Sequence, residues 1–137
     1  MGTNSAIAVI DLFAGPGGLG EGFSAYRVRG AGHPFQIAMS VEMDEHAHRT
    51  LQLRSFFRQF STRGDHVPED YYHVLRGTLS EFELSTGKWS QQWRAAEDEA
   101  LCAELGTPGG DMAVDARIRA EKLDRPRGPV VLLGGPP

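Results

Sequence analysis

Apolar residues are spread unevenly along the chain, and their spacing divides it into segments. Ala6 to Phe13 reads Ala-Ile-Ala-Val-Ile-Asp-Leu-Phe, a short, almost unbroken apolar run rich in branched side chains. Such a run predicts a strand buried on both faces, as in a parallel sheet. Leu19, Phe23 and Tyr26 then recur at helical spacing until Gly30, Gly32 and Pro34 stop the pattern. Phe35 to Val41 predicts a second strand, ending at Glu42. Asp44 is placed to cap a following helix, with Ala47, Leu51 and Phe57 on one face. Strand, helix, strand, helix implies a parallel sheet with right-handed crossovers.

The middle of the chain is less regular. Ser61 to Tyr72 mixes Gly, Pro and charge and predicts a surface loop. Gly77 to Phe82 suggests a short strand. Trp89 to Leu105 predicts one helix, with Trp93, Ala96, Ala100 and Leu101 at suitable spacing. Gly106-Thr107-Pro108-Gly109-Gly110 breaks it, and Asp111 to Leu123 predicts a second, charged helix. Pro129 to Leu133 is again a buried-strand pattern, running into Gly134-Gly135-Pro136-Pro137. Three or four strands are fewer than the roughly five or more of a doubly wound sheet. The expectation is therefore a Rossmann-like α/β sheet represented by its N-terminal portion, within a longer protein or one half of a two-chain assembly.

Composition narrows the class. At 137 residues with 40% apolar content, the chain suits one globular domain. No run of about 18 apolar residues is present, so no membrane span is expected. The N-terminal residues carry neither a basic stretch nor a long apolar core, which argues against a secretory signal. Cys102 is the single cysteine, so neither an internal disulfide nor a cysteine metal cluster is expected. A reducing, cytoplasmic setting fits. The net charge of −4 offers no broad field for phosphates.

The candidate chemistry sits between the first strand and the first helix. Asp11-Leu12-Phe13-Ala14-Gly15-Pro16-Gly17-Gly18-Leu19-Gly20 is a glycine turn that would let a ligand approach bare backbone. Free amides at the helix start would face it. Glu42 lies 27 residues after Gly15, at the end of the second strand. A carboxylate there can accept both hydroxyls of a ribose. Gly15, Gly17 and Gly20 match Gly-x-Gly-x-x-Gly in spacing, although Pro16 and Gly18 crowd it. No Lys-Ser/Thr follows, which excludes a Walker-type phosphate loop. A tight turn kept for packing remains the alternative. If the turn receives a ligand, Gly17→Val is expected to abolish binding by blocking the approach to the backbone.

Residue identities add more than spacing does. Asp-Leu-Phe-Ala-Gly-Pro-Gly-Gly-Leu, from Asp11 to Leu19, closely resembles the cofactor motif of the DNA cytosine-5 methyltransferase family. Ser40-Val41-Glu42-Met43-Asp44, with Ala47 and Thr50, resembles that family's second motif. Gly134-Gly135-Pro136-Pro137 looks like the start of its catalytic motif, in which a Pro-Cys pair follows the fourth strand. The resemblance covers the two ends of the chain; residues 61–128 form a longer, variable region.

The resemblance implies S-adenosylmethionine as cofactor and double-stranded DNA as substrate, with any basic grip on DNA outside these residues. It implies that Phe13 packs on the cofactor and that Ala14, Gly15, Pro16, Gly17, Gly18 and Leu19 cradle its methionine end. Glu42 would hold the ribose, Met43 would lie against the adenine, and Asp11 would lie near the methionine amino group. Gly135 and Pro137 would wall the cofactor near the transferred methyl. The family's third motif places an Asp against the adenine amino group. The nearest counterpart in sequence is Gly77-Thr78-Leu79, where Thr78 offers only a hydroxyl.

The family's catalytic cysteine would directly follow Pro137, so no catalytic residue is assigned here. The family adds a thiolate to carbon 6 of a cytosine flipped out of the duplex, which activates carbon 5 toward the methyl donor. Without that thiol the chain is expected to bind cofactor but not to methylate DNA. Other expectations are a split enzyme completed by a complementary subunit, a non-catalytic regulatory module, or a relative acting on transfer RNA. Cys102, among Ala100, Leu101, Ala103 and Leu105, suggests a buried structural thiol in a helix. The five histidines lack metal-ligand spacing, so no metal is expected. Arg54, Arg58 and Arg63 with Phe56, Phe57 and Phe60 fit an amphipathic helix with a solvated basic edge, or a nucleic-acid stripe.

Overall fold

A computed structural model describes residues 6–135. The elements run β1 (Ile7–Leu12), α1 (Gly18–Ala25), β2 (Phe35–Glu42), α2 (Glu45–Ser61), α3 (Glu69–Leu75), α4 (Glu81–Thr86), α5 (Ser90–Glu99), β3 (Ala100–Cys102), α6 (Pro108–Ala120) and β4 (Val130–Gly134). The four strands form one sheet of order β3-β2-β1-β4. Every pairing is parallel. The architecture is Rossmann-like α/β.

The register brings the strand ends to one edge. Leu12 lies beside Val41 on one side and Gly134 on the other, and Glu42 lies beside Cys102. The chain steps outward from β1 through β2 to β3, then crosses back to place β4 on the far side of β1. Such a reversal is where open α/β sheets bind ligands, outside the carboxyl ends of the strands.

Two clusters hold the fold. Ile10, Met39 and Val41 on one face of the sheet pack with Val114 of α6, joined by Leu101, Ile118 and Val130. Away from the sheet, Phe56 and Phe60 of α2 pack with Tyr71, Leu84, Trp93 and Ala96 from α3, α4 and α5. Phe56 is the hub, its ring 5.3 Å from Phe60, 5.9 Å from Trp93 and 6.2 Å from Tyr71.

The middle of the chain departs from its sequence pattern in three places. The loop expected over Ser61 to Tyr72 gives way to α3, which starts at Glu69 and buries Tyr71. Gly77 to Phe82 is not a strand. It is a turn leading into α4, whose start is a capping box between Ser80 and Glu83: each backbone N–H donates to the other's side chain, at 2.9 and 3.2 Å. The helix expected over Trp89 to Leu105 ends at Glu99, and Ala100 to Cys102 becomes β3. Ala and Leu favour helix on their own. Here the ladder to β2 and a bond of 2.9 Å from the His48 ring nitrogen Nε2 to the Ala100 carbonyl outweigh that preference. Cys102 is consequently exposed at a strand end, not buried in a helix.

The basic stripe on α2 is also decided by packing. Phe56 and Phe60 are core, and Arg58 is buried between Glu21 and Glu99. The nucleic-acid stripe is thereby excluded for these residues. No helix among the described residues is long and apolar enough to cross a membrane.

Candidate functional site

The site is built from the loops that leave β1, β2, β3 and β4. After β1 the backbone folds sharply. Phe13 adopts φ 54°, in the left-handed region that costs an L-residue about 1–2 kcal/mol. Gly15 and Gly17 follow at φ 56° and 89°. The turn is pinned to its neighbour: Ala14 N–H donates to the Val41 carbonyl at 2.9 Å and Gly17 N–H to the Ala14 carbonyl at 3.0 Å.

Glu42 links the two loops. One carboxylate oxygen accepts from Gly15 N–H at 2.8 Å and the other from Asp44 N–H at 2.8 Å. Two backbone donors hold the group in one orientation, and each oxygen keeps a second lone pair for a ligand. Its own carbonyl accepts from Ala103 N–H at 3.1 Å, fastening the loop after β3 to the same place. Asp44 caps α2 by accepting from Ala47 N–H at 2.8 Å, as its sequence position predicted.

A cavity of about 290 Å³ opens above these bonds, lined by Phe13, Val41, Glu42, Met43, Ala103, Glu104, Leu105 and Gly135. That is near the lower end of small-molecule sites, roughly 300–1,000 Å³. A second, more open cavity of about 550 Å³ shares Met43, Ala103 and Glu104 with it and adds Asp44, Glu45, His46 and Cys102. Phe13 and Met43 stand 42% and 62% exposed at the rim, apolar surfaces with little to cover them.

The four glycines of the turn divide by what surrounds them. Gly15 and Gly18 face open space, so a ligand has access to their backbone. A Cβ at Gly17 would meet Leu51 Cδ1 at 2.7 Å, and one at Gly20 would meet Asp11 Oδ2 at 3.0 Å. Gly17 therefore serves the packing of the turn on α2. A Gly17→Val change would act through strain and collision with Leu51 from behind, and not by blocking the open side.

The structure thus brings together Phe13, Glu42, Met43 and Gly135 at one cavity, beside the backbone of Ala14 to Gly18. Leu19 points elsewhere, into an apolar groove on α1 with Phe23, Tyr26 and Phe35. Pro137 lies outside the described residues. Two expectations need correction. Asp11 is 2% exposed, beneath Gly20 of α1, and does not line the cavity. Burial pushes its carboxyl above the ordinary range, against the opposing pull of the Gly20 backbone and the Arg58 charge. Thr78 and Leu79 are also elsewhere. Thr78 bonds His73, and Leu79 packs on the aromatic cluster of α2 to α5.

The cavity is lined on this side by Ala103, Glu104 and Leu105, directly after β3. Sequence reasoning missed these residues because they were absorbed into the expected helix. An available signal was the Gly106 to Gly110 break, which marks a chain reversal next to an acidic residue. Gly110 is part of this geometry: its Cα lies so close to the Glu104 backbone that a Cβ would come within 1.9 Å of the carbonyl oxygen.

Cys102 stands at the edge of the second cavity. Desolvation, then the nearby Glu45, Glu42 and Asp44 charges, push its thiol up, which suppresses the thiolate. Among the described residues no group of three or more His, Cys, Asp or Glu is arranged to hold a metal.

Over 144 residues the chain is 26% identical to the Type II methyltransferase M.Bpa9945I of Bacillus paralicheniformis. The match covers 94% of this chain and 30% of that protein. The chain thus spans about a third of the length of the curated relative it matches. No family profile and no solved structure matches.

Proposed function

We propose that this chain is the S-adenosylmethionine-binding portion of a DNA cytosine-5 methyltransferase. The observation that carries the proposal is the Glu42 carboxylate, held by Gly15 and Asp44 amides at the mouth of a cavity with apolar walls. A nucleoside needs that combination: an oriented acceptor for two adjacent hydroxyls beside a surface that shelters a flat base. The similarity to a methyltransferase along 94% of the chain favours a methyl-donor nucleoside over a dinucleotide. The motif from Asp11 to Leu19 favours the cytosine-5 class.

The residues present fit the cofactor. Glu42 accepts from the ribose hydroxyls through its free lone pairs. Phe13 and Met43 cover the base and exclude water. Glu104, the second carboxylate that lines the cavity besides Glu42, accepts from the adenine amino group. The open backbone at Gly15 and Gly18 leaves room for the methionine end. Bound there, S-adenosylmethionine supplies an electrophilic methyl group. The proposed cytoplasmic enzyme acts on double-stranded DNA, and a net charge of −4 leaves the basic grip on DNA to other parts of it.

Titration calorimetry with S-adenosylhomocysteine tests the binding step. Micromolar affinity, with no binding of NAD, is expected. Absence of binding to the folded protein would overturn the proposal. Incubating the full-length protein with labelled cofactor and duplex DNA, then digesting to nucleosides, tests the chemistry. Label in 5-methylcytosine is expected, whereas label in N6-methyladenine, or in transfer RNA, would replace the cytosine-5 assignment.

A further inference from the structure

The two walls of the candidate cavity meet at Glu42, whose carboxylate accepts from Gly15 N–H and whose carbonyl accepts from Ala103 N–H. One wall is Phe13, which leads into the glycine turn that opens α1. The other is the segment Ala103 to Leu105, which follows β3, an edge strand of three residues. So short a strand makes few ladder bonds and has one neighbour, so side-chain contacts beyond the ladder, such as that of His48 with the Ala100 carbonyl, add to its anchoring.

A second link runs through Arg58 on α2. Its side chain is only 6% exposed. Nη1 donates to Glu21 Oε2 on α1 at 2.8 Å, and Nη2 donates to Glu99 Oε1 at the end of α5. Glu21 lies one turn into the helix that the glycine turn begins. Glu99 is the residue immediately before β3. One guanidinium on α2 therefore grips the element after one wall and the element before the other. A planar fork that donates in two directions suits this task, because its two bonds fix an angle as well as a distance.

The surroundings reinforce the assignment. Arg58 Nε and Asp11 Oδ2 are both buried without a hydrogen-bond partner, and the Arg58 charge is felt at Asp11. Asp11 in turn lies under Gly20 of α1. The charge of a third carboxylate, on β1, is thus felt at the same guanidinium without a direct bond to it. Breaking a buried pair by removing one partner leaves an uncompensated charge, so neither Glu21 nor Glu99 can move off Arg58 without cost.

We infer that Arg58 is a positioning residue which couples the glycine turn to the β3 wall through Glu21 and Glu99 and so sets the width of the cavity. The coupling itself follows from the contacts; its bearing on cofactor affinity rests on the function proposed above.

Amide hydrogen exchange on the unliganded full-length protein tests the coupling, using Glu99→Gln and Glu21→Gln. Both are mild changes that keep the side-chain shape. Glu99→Gln should speed exchange at least about fivefold in residues 15–24, on the far side of Arg58, and Glu21→Gln should do the same in residues 100–105. Trp93→Phe, on α5 but outside the Arg58 ion pairs, serves as a control matched for loss of melting temperature and should leave residues 15–24 unchanged. Changes confined to each variant's own wall, or reproduced by Trp93→Phe, would overturn the coupling.

With S-adenosylhomocysteine as the probe, Glu99→Gln should weaken binding about tenfold and Trp93→Phe less than twofold. Equal losses would reduce Arg58 to a purely structural role. A wild-type protein that binds no S-adenosylhomocysteine would sink the proposed function while leaving the exchange result to decide the coupling.

Discussion

Aromatic residues occur in two regions of this molecule and behave differently in each. In the cluster of α2 to α5, Phe56 and Trp93 are buried and every ring has aromatic neighbours at 5–6 Å. At the strand ends, Phe13 is half exposed, held at a positive φ, and lines an open cavity. The first region gains stability from close packing. The second bears strain and leaves apolar surface open, a state that persists at sites where the chain must meet a ligand. A folded core and a binding rim therefore draw on the same side chains with opposite rules.

The comparison breaks most sharply at Trp93. Trp93→Ala should cost about 3–5 kcal/mol of stability in denaturant unfolding. The fraction that remains folded should keep its affinity for S-adenosylhomocysteine within about twofold; a proportional loss would make the two regions one mechanical unit. Glu42→Gln should act the other way. Its amide nitrogen would face either the Gly15 or the Asp44 N–H as a second donor, and binding should weaken by about 2–3 kcal/mol in calorimetry. The melting temperature should fall only slightly.

Gly17→Ala sits between the two regions, since the turn is braced on Leu51. A Cβ at φ 89° and 2.7 Å from Leu51 Cδ1 should cost about 1–3 kcal/mol of stability. In a double-mutant cycle with Leu51→Ala, read by thermal unfolding, the two changes together should cost less than the sum of each alone, by the steric part. Phe13→Asn should relieve the left-handed backbone and raise stability by about 1 kcal/mol while lowering affinity. A fall in both would show that Phe13 is core and not rim.

The smallest effect concerns Asp11. Its carboxyl is raised above the usual 3.8, chiefly by burial, so the folded state holds the proton more tightly than the unfolded one. Stability from this group is present below the unfolded value and is lost as pH rises from about 3.8 through the raised folded value. Asp11→Asn should remove that decline, so the urea midpoint of the wild type relative to the variant should fall as pH rises through this range. A difference that stays flat across pH would place Asp11 in a polar setting that offsets its burial.

How much of this was legible beforehand depended on where each signal resides. β1, the glycine turn, β2, Glu42 and the Asp44 cap follow one another within a short stretch, and each is announced locally: an apolar run, glycines at the turn, a capping residue before a helix. The capping box at Ser80 and Glu83 was also written in the sequence, and it marks α4 where a strand had been expected. β3 was not written there. Ala100-Leu101-Cys102 continues a helical pattern without interruption, and no β-branched residue sets it apart.

The sequence by itself determined the alternation of strands and helices at both ends, the glycine turn and the acid that faces it, because backbone conformation and capping are short-range properties. Only the tertiary structure decided that Glu104 and not Thr78 completes the cavity wall, that Arg58 lies in the interior and not on a basic edge, and that Asp11 turns away from the open side. Each of those depends on which strand lies beside which and on what a buried charge finds within reach. Such contacts join residues tens of positions apart, and no local pattern encodes them.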